Sequence, residues 1–276
     1  MVALVLVSFK GSPGVTTAAA ALAGAHSSPG RGALLAELDP AGGAIQVLAS
    51  GPAAWGLVDT AGRLRRETTA AAVDEHTTEL PRGIRSLLAP TAAATAHSVI
   101  ASAGDRWLPG LRSAWPDVVV DAGRWEPGQR TATRIVGADL VAVACRPTVA
   151  GVETVRLGLD HLRRVARCPV AAVVVGHRPY TPGEVAAHLD VPVAGAIAWD
   201  PRAVAHLWGG GVTRRWLRSR LARSAAATLR GVEELAGPTG ARREPASRST
   251  GAARPTTGEM PPTSPASPSL PTEAPA

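Results

Sequence analysis

Short apolar runs that alternate with longer helical stretches constrain the fold of this chain more than any other feature. The runs are continuous in Val, Leu, Ile and Ala, as in strands that are covered on both faces. Strands separated by helices need parallel crossovers, so the pattern predicts an α/β fold with a doubly wound, mostly parallel sheet and helices on both faces. The predicted strands are 2–7, 33–38, 83–90, 117–120, 140–145, 170–175 and a seventh run ending near Trp199. The predicted helices are 16–26, 99–114, 149–165, 184–189 and 212–235.

A glycine-rich turn joins the first predicted strand to the first predicted helix, and its sequence is Lys10-Gly11-Ser12-Pro13-Gly14-Val15-Thr16-Thr17. Glycines let backbone N–H groups wrap an anion, and the helix that begins at the threonines turns its positive end toward that anion. An ordinary phosphate loop ends in Gly-Lys-Ser/Thr, and here Val15 stands where that lysine is expected. The turn therefore predicts a phosphate-binding loop without its usual cation, and a tight strand-to-helix connection is the alternative.

Lys10 is the only lysine among the 29 basic residues of the chain, and all the others are arginine. Arginine replaces lysine freely at most solvated positions, but poorly where a compact, flexible ammonium must reach a phosphate. The position of this single lysine, at the opening of the glycine turn, therefore indicates a functional task.

Acidic residues stand at the ends of two predicted strands, where parallel sheets bind their ligands. Asp39 follows the second strand and Asp121 follows the fourth, while Glu37 lies inside the second strand. A buried carboxylate needs a partner, and a magnesium ion would supply one to Glu37 through water. Without a ligand, Asp39 would open a turn and Asp121 would cap a helix.

The glycine turn resembles the deviant phosphate loop of the MinD/ParA family, which reads K-G-G-x-G-K-T-[ST]. Lys10 matches its first lysine, while Ser12 replaces its second glycine and Val15 its second lysine. Later segments are similar to the family in the same order: "ALLAELDPAGG", "PDVVVDAG", "GADLVAVACRPTVAGVETV" and "DVPVAGAIAWDPRAV". The segment "GIRSLLAP" is similar to the CpaE-like branch, whose members serve Tad, type IV pilus-like secretion systems. The resemblance covers about residues 1–235, and Gly176 stands about where the family has an asparagine that reads adenine.

This resemblance implies a P-loop NTPase-like fold and an ATP-dependent dimer switch that binds ATP and Mg²⁺. Lys10 would reach the phosphates of the partner subunit and Asp39 would orient the attacking water, so these two are the predicted catalytic residues. The predicted nucleotide-binding residues are Gly11, Ser12, Pro13, Gly14, Val15, Thr16 and Thr17, and the predicted metal-binding residues are Thr16, Glu37 and Asp121. Without the loop lysine we expect slow hydrolysis, and a non-catalytic scaffold or adaptor of the same fold is the alternative. The expected partners are a second copy of the chain and a secretion-ATPase or partitioning protein.

The net charge of +7 is concentrated near the end of the predicted domain. Between Arg202 and Arg230 the chain has seven arginines and no acid. This segment predicts either a solvated helix face or a surface that contacts nonspecific DNA or an anionic membrane. The candidate surface-binding residues are Arg214, Arg215, Arg218, Arg220 and Arg223.

Other sequence features indicate the cellular environment of the protein and the extent of its domain. The absence of long apolar runs and of a leader pattern predicts a cytoplasmic protein, with peripheral association at a membrane or the nucleoid as a further possibility. We expect Cys145 and Cys168 to be buried thiols, the tryptophans, Trp199 included, to lie in the core or an interface, and zinc to be absent. The segment 237–276 holds nine of the 24 prolines, which predicts a disordered tail after one domain at 1–236.

Overall fold

The computed structural model describes residues 2–10, 13–26, 32–49, 56–66, 71–126, 130–209 and 213–237. The strands in these ranges are β1 (Ala3–Ser8), β2 (Leu34–Glu37), β3 (Thr78–Leu80), β4 (Ile84–Leu87), β5 (Val118–Arg124), β6 (Leu140–Cys145), β7 (Val170–Val175) and β8 (Val193–Ile197). They form one sheet in the order β3-β4-β2-β5-β1-β6-β7-β8. Only β3 runs antiparallel, against β4, so the predicted mostly parallel sheet is confirmed. The predicted tail lies outside the described residues, except for Gly237.

Helices cover both faces of the sheet, as the sequence predicts. They are α1 (Val15–His26), α2 (Ile45–Leu48), α3 (Gly56–Leu64), α4 (Ala71–Asp74), α5 (Ala93–Ala103), α6 (Trp107–Ala114), α7 (Val149–Val165), α8 (Pro182–Leu189), α9 (Pro201–Gly209), α10 (Thr213–Leu217) and α11 (Arg220–Ala236). One apolar layer joins the sheet to α3 through α8, and the other joins it to α1, α2 and α9 through α11. Among the described helices, none combines the length and the apolar character that crossing a bilayer requires.

Strand β1 shows why the predicted strands are continuous in apolar residues. Its six residues are all buried, and successive side chains enter opposite layers. Val5 and Val7 join the layer under α3 through α8, whereas Leu4 and Leu6 join the layer under α1. A strand covered on both faces has no position for a polar side chain until its end.

Strand β1 also marks the point where the winding of the sheet reverses. It lies between β5 and β6, and its own crossover through α1 leads to β2 on the far side of β5. In open α/β sheets, ligands bind beyond the carboxyl ends of the strands at such a reversal. The fold therefore places the glycine turn and the residues that follow β2, β5 and β6 around one crevice.

The prediction of one helix at 99–114 is wrong, because the structure has two helices there. Helix α5 begins earlier, at Ala93, and ends at Ala103, and α6 begins at Trp107. Gly104 between them has a φ of 58°, a conformation that glycine adopts readily and that stops an α-helix.

The helix predicted at 212–235 is also two helices. Ser219 separates α10 from α11, and its hydroxyl oxygen accepts a hydrogen bond from the Ala222 N–H at 3.1 Å, which caps the start of α11. Because the break rotates the chain, Leu217 is 57% exposed, contrary to its predicted place on the apolar stripe, and Trp216 is buried instead. The rest of the predicted stripe, from Leu221 to Val232, does pack inward.

Candidate functional site

The register of the sheet brings two predicted acids side by side. Glu37 at the end of β2 lies opposite Asp121 in β5, and Asp121 lies opposite Leu6 of β1 on its other side. Both acids are only 1% exposed. Two neighbouring buried carboxyl groups are unfavourable unless hydrogen-bond donors or a cation compensate them, so the partners of each one matter.

The carboxyl group of Asp121 is only partly satisfied. Its Oδ1 accepts a hydrogen bond from the Gly123 N–H at 3.0 Å, and the Thr16 hydroxyl also hydrogen-bonds with the carboxyl group. Its Oδ2 is buried and has no hydrogen-bond partner among the described residues. Burial raises the pKa of Asp121 to about 7, and the nearby carboxyl groups of Asp39 and Glu37 act in the same direction. A cation beside Oδ2 would satisfy this oxygen and stabilise the ionised form.

Helix α1 places Thr16 against Asp121. Gly14 precedes the helix with a φ of 98°, and its carbonyl oxygen accepts the first-turn hydrogen bond from the Ala18 N–H at 2.8 Å. Val15 is 7% exposed and packs into the apolar layer between α1 and the sheet. Its side chain therefore does not point toward the glycine turn, where the family's lysine would contact phosphate. Two other loop residues, Pro13 and Thr17, line the cavities described below. The predicted ligands Gly11 and Ser12 lie outside the described residues.

The carboxylate of Glu37 has a structural task that the sequence did not indicate. Its Oε1 accepts hydrogen bonds from the backbone N–H groups of Ala44 at 2.6 Å and Ile45 at 2.9 Å. Its Oε2 accepts one from the Ala89 N–H at 3.1 Å, which ties the loop after β2 to the end of β4. Burial raises the pKa of Glu37, and these three N–H groups oppose the rise. Its role toward a metal remains a prediction.

Asp39 reaches across to the exit of β5. It is half-buried, and its Oδ1 accepts a hydrogen bond from the Ala41 N–H at 2.9 Å. Its carboxyl group lies so close to the Cα of Gly123 that a Cβ on that glycine would overlap with it. The third predicted acid thus joins Glu37 and Asp121 in one electrostatically coupled cluster, which is a common feature of functional sites.

A buried arginine that the sequence analysis did not single out lies against this cluster. Arg134, in the short 3₁₀ turn Arg130–Ile135, is 1% exposed. It donates from Nη1 to the carbonyl oxygens of Ala122 and of Leu38, the latter at 3.2 Å, and from Nη2 to that of Arg124 at 3.4 Å. Burial lowers its pKa to about 10, so it stays charged at neutral pH.

Two cavities flank the first turn of α1. One, of about 320 Å³, is lined by residues that include Lys10, Pro13, Arg146 and Thr148. The other, of about 260 Å³, lies beyond the ends of β7 and β8, and its lining includes Gly14, Thr17, Arg146 and Trp199. Arg146 lines both cavities, and its guanidinium carbon is 4.3 Å from the centroid of the Trp199 ring. Both cavities are close to the lower limit of the size typical of small-molecule sites, ~300 Å³.

Trp199 does not lie in the core, which is one of the two places expected for the tryptophans. It is 51% exposed and forms one wall of the second cavity, whereas Trp107, Trp125 and Trp216 are buried. Its place after β8, and that of Arg146 after β6, follow the rule that ligands bind at the carboxyl ends of strands. That rule would have found both residues, whereas no local pattern would have found Arg134.

The residues present fit a magnesium site that is shared with a ligand. Among the described residues, no group of three or more His, Cys, Asp or Glu side chains is arranged to hold a metal alone. Magnesium in nucleotide sites is usually held by one or two carboxylates together with phosphate oxygens and water. The unpartnered Oδ2 of Asp121 and the hydroxyl of Thr16 supply that kind of partial coordination.

The predicted surface arginines lie on α10, between α10 and α11, and at the start of α11. All five are exposed, and none forms an ion pair with a described residue. They are Arg214, Arg215, Arg218, Arg220 and Arg223. The structure therefore places them on an open basic face, and their ligand remains a prediction.

No protein-family model matches this sequence, and no curated protein matches it. Solved structures do match its fold. A ParA-family ATPase from Chlorobium tepidum TLS superposes with a TM-score of 0.68 at 16% identity, over 83% of this chain and 99% of that one. The septum site-determining protein MinD from Pyrococcus horikoshii OT3, solved with Mg-ADP, superposes with a TM-score of 0.63 at 17% identity, over 85% and 96%. A McdA–ATP complex from Cyanothece gives a TM-score of 0.58 at 15% identity, over 85% and 95%. At such identities the similarity establishes the fold.

Proposed function

We propose that this chain, which has the fold of the ParA, MinD and McdA ATPases, is a MinD/ParA-type nucleotide-binding protein that works as a slow ATP-dependent switch. The observation that carries the proposal is the Asp121 carboxyl group. It is buried, it hydrogen-bonds with Thr16 in the first turn of α1, and its Oδ2 lacks a partner among the described residues. A buried carboxyl oxygen without a partner is unfavourable, and a bound cation would compensate it.

The residues around α1 would divide the binding of ATP between them. The backbone N–H groups of the first turn and the positive end of the helix would bind phosphate oxygens. Thr16 and Asp121 would hold Mg²⁺, which neutralises charge on the phosphates. Asp39 would accept a hydrogen bond from the attacking water and so orient it. The base would lie in the cavity lined by Trp199, where stacking on an exposed indole ring does not depend on an asparagine at Gly176.

The buried side chain of Val15 explains why we propose slow turnover. Removing one charged contact from the transferring phosphoryl group costs on the order of 2–4 kcal/mol in the transition state, or ~10²–10³ in rate. Lys10 is exposed on the first cavity, and the family resemblance assigns it to the phosphates of a partner subunit. We therefore infer that ATP favours a homodimer in which Lys10 acts across the interface.

The process that such a switch serves is also part of the proposal. We infer cytoplasmic positioning or partitioning, or Tad-type secretion, with a partner protein and peripheral contact with a membrane or the nucleoid. The similarity of "GIRSLLAP" to the CpaE-like branch supports secretion. In the fold this segment forms β4 and its exit, where the Ala89 N–H binds Glu37.

Equilibrium binding of a fluorescent ATP analogue, with and without Mg²⁺, tests the proposal. We expect binding that Mg²⁺ strengthens, and that Lys10→Ala and Asp121→Asn weaken at least tenfold, as loss of a metal ligand or charged contact normally does. Asp59→Asn is a matched control, because Asp59 is an exposed acid on α3 that lines neither cavity. If wild-type protein binds no nucleotide at millimolar concentration, the switch is excluded and the non-catalytic scaffold of the same fold is favoured.

A second candidate function, nonspecific DNA binding, rests on the exposed arginines of α10 and α11. DNA is favoured over a membrane because Leu217 is the only large apolar side chain that is strongly exposed on these helices, within the described residues. Each phosphate contact contributes about 0.9 to the slope of log affinity against log salt. The triple variant Arg214→Gln, Arg215→Gln, Arg218→Gln should therefore flatten that slope. An equal loss in the control variant Arg65→Gln, Arg164→Gln, Arg167→Gln would mean that net charge, not this surface, governs binding, and binding to anionic vesicles alone would favour a membrane.

A further inference from the structure

Arg134 connects the two chain segments that carry the acids of the crevice. The Leu38 carbonyl, which it binds, directly precedes Asp39, and the Ala122 carbonyl directly follows Asp121. One guanidinium group thus holds the exits of two neighbouring strands, each within one peptide unit of an acid. A third hydrogen bond, to the Arg124 carbonyl, fixes the same group at the end of β5.

The burial of this charge needs an explanation. An arginine that only donated hydrogen bonds to carbonyl groups could be replaced by a neutral donor. Removing a guanidinium from water is expensive unless opposite charges surround it. Asp39, Asp121 and Glu126 attract Arg134 and oppose the effect of burial on its pKa. The charge therefore lies near three carboxyl groups, while its own hydrogen bonds go to backbone carbonyl oxygens.

The geometry at Gly123 shows what this arrangement achieves. Asp39 rests directly on the Gly123 backbone, and the Gly123 N–H binds Asp121. Since Arg134 holds the peptide groups on both sides of this contact, it controls how far apart the two acids lie. Lysine could not do the same, because an ammonium lacks the planar fork of N–H groups that reaches three separate carbonyls.

We propose that Arg134 is a positioning residue, which sets the separation of Asp39 and Asp121 and thereby the affinity of the crevice for Mg²⁺ with its nucleotide. The proposal rests on the function proposed above. It assigns to this chain a cation that acts through the backbone beside the acids and that does not touch the phosphates.

The test measures how much Mg²⁺ strengthens the binding of the same fluorescent ATP analogue in Arg134→Lys, which keeps the charge, and Arg134→Gln, which keeps N–H donors. We expect both variants to lose 10–100-fold of the Mg²⁺-dependent affinity, as for other residues that orient metal ligands, while Mg²⁺-free binding changes less than threefold. Arg112→Lys is the matched control. Arg112 also pairs an acid, Asp139, and a carbonyl group, that of Gly137, but at the start of β6.

A double-mutant cycle with Asp121→Asn gives a readout that general destabilisation of the fold would not change. If Arg134 acts through Asp121, the losses of Mg²⁺-dependent affinity in Arg134→Lys and Asp121→Asn will not add. Additive losses, an unchanged Mg²⁺ effect in a folded Arg134 variant, or failure of both Arg134 variants to fold would overturn the proposal and leave a structural arginine. Absence of nucleotide binding by the wild type would instead overturn the proposed function itself.

Discussion

The carboxyl group of Asp39 lies against the Cα of Gly123, in the space that a Cβ at position 123 would occupy. This contact joins the loop after β2 to the end of β5. It brings Asp39 close to Asp121. Gly123 has a φ of 61°, so both its backbone conformation and its missing side chain are required here.

We expect Gly123→Ala to destabilise the protein by more than the strain of an alanine at this positive φ alone. Gly83→Ala is the control, because Gly83 has a similar positive φ of 69° and no neighbouring atom within 4 Å of an added Cβ. Both substitutions carry the penalty of a positive φ, roughly 1–2 kcal/mol. The overlap with Asp39 should add about 1–3 kcal/mol at Gly123 only. Urea unfolding measures both values, and equal losses would mean that Asp39 moves aside at no cost.

The pKa of Asp121 implies a pH dependence of stability. Because the folded-state pKa is raised from 3.8 to about 7, the folded protein binds this proton more tightly than the unfolded chain. Its contribution is fully present below about pH 4 and is lost as pH rises through 7, and the difference corresponds to roughly 4 kcal/mol. Without nucleotide and Mg²⁺, we expect wild-type protein to be about 2–3 kcal/mol less stable at pH 8 than at pH 5.

Asp121→Asn should remove most of this slope, because the amide does not titrate. The comparison isolates Asp121 from Glu37, whose raised pKa acts in the same direction. Unfolding free energies of the two proteins at both pH values provide the measurement. A variant with the same slope as wild type would show that the buried carboxyl of Asp121 is not the group that titrates.

We expect Gly158→Ala to destabilise the protein, although alanine is the better helix former. Gly158 lies in α7, and a Cβ there would overlap with the ring of Phe9, the residue before Lys10. A Gly→Ala change in an unobstructed helix should stabilise by about 0.5–1 kcal/mol, and Gly62→Ala in α3 is that control, since nothing lies within 4 Å of its added Cβ. Overpacking at Gly158 should reverse the sign, with a loss of about 1–3 kcal/mol. Stabilisation of both variants in thermal unfolding would contradict the packing of Phe9.

Both cysteines should react slowly with a disulfide reagent while the protein is folded. Burial raises the pKa of the Cys145 and Cys168 thiols to about 11, and the thiolate is the reactive form. We expect labelling at pH 7.5 to be slow in buffer and fast in urea, with Cys145 the slower because it is 1% exposed. Rapid labelling of folded protein at Cys145 would show that the cavity beside Lys10 opens readily.

Local patterns in the sequence were enough to predict seven of the eight described strands, the turn between β1 and α1, and the acids Asp39 and Asp121 on neighbouring strands. The predicted end of the fourth strand was wrong, because β5 continues past Asp121 to Arg124. Such features repeat with the period of one element or follow from one glycine, so neighbouring residues reveal them. The same local reasoning failed at Gly104 and Ser219, where one residue ends a helix whose apolar period continues beyond it. It also missed the strand β3 and the helices α2, α3, α4 and α9, which are short or fall in segments with few apolar repeats.

The partners of the buried charges depended on contacts between distant parts of the chain. Glu37 binds the Ala89 N–H, 52 residues away, and Arg134 binds the Leu38 carbonyl, 96 residues away. Such pairs leave no periodic signal, because a buried carboxylate or guanidinium accepts any backbone partner that the packed fold brings within reach. The sequence could thus predict which strand ends carry acids, since that depends on local pattern. Whether those acids meet, and which cation lies near them, depended on the packing of the whole sheet.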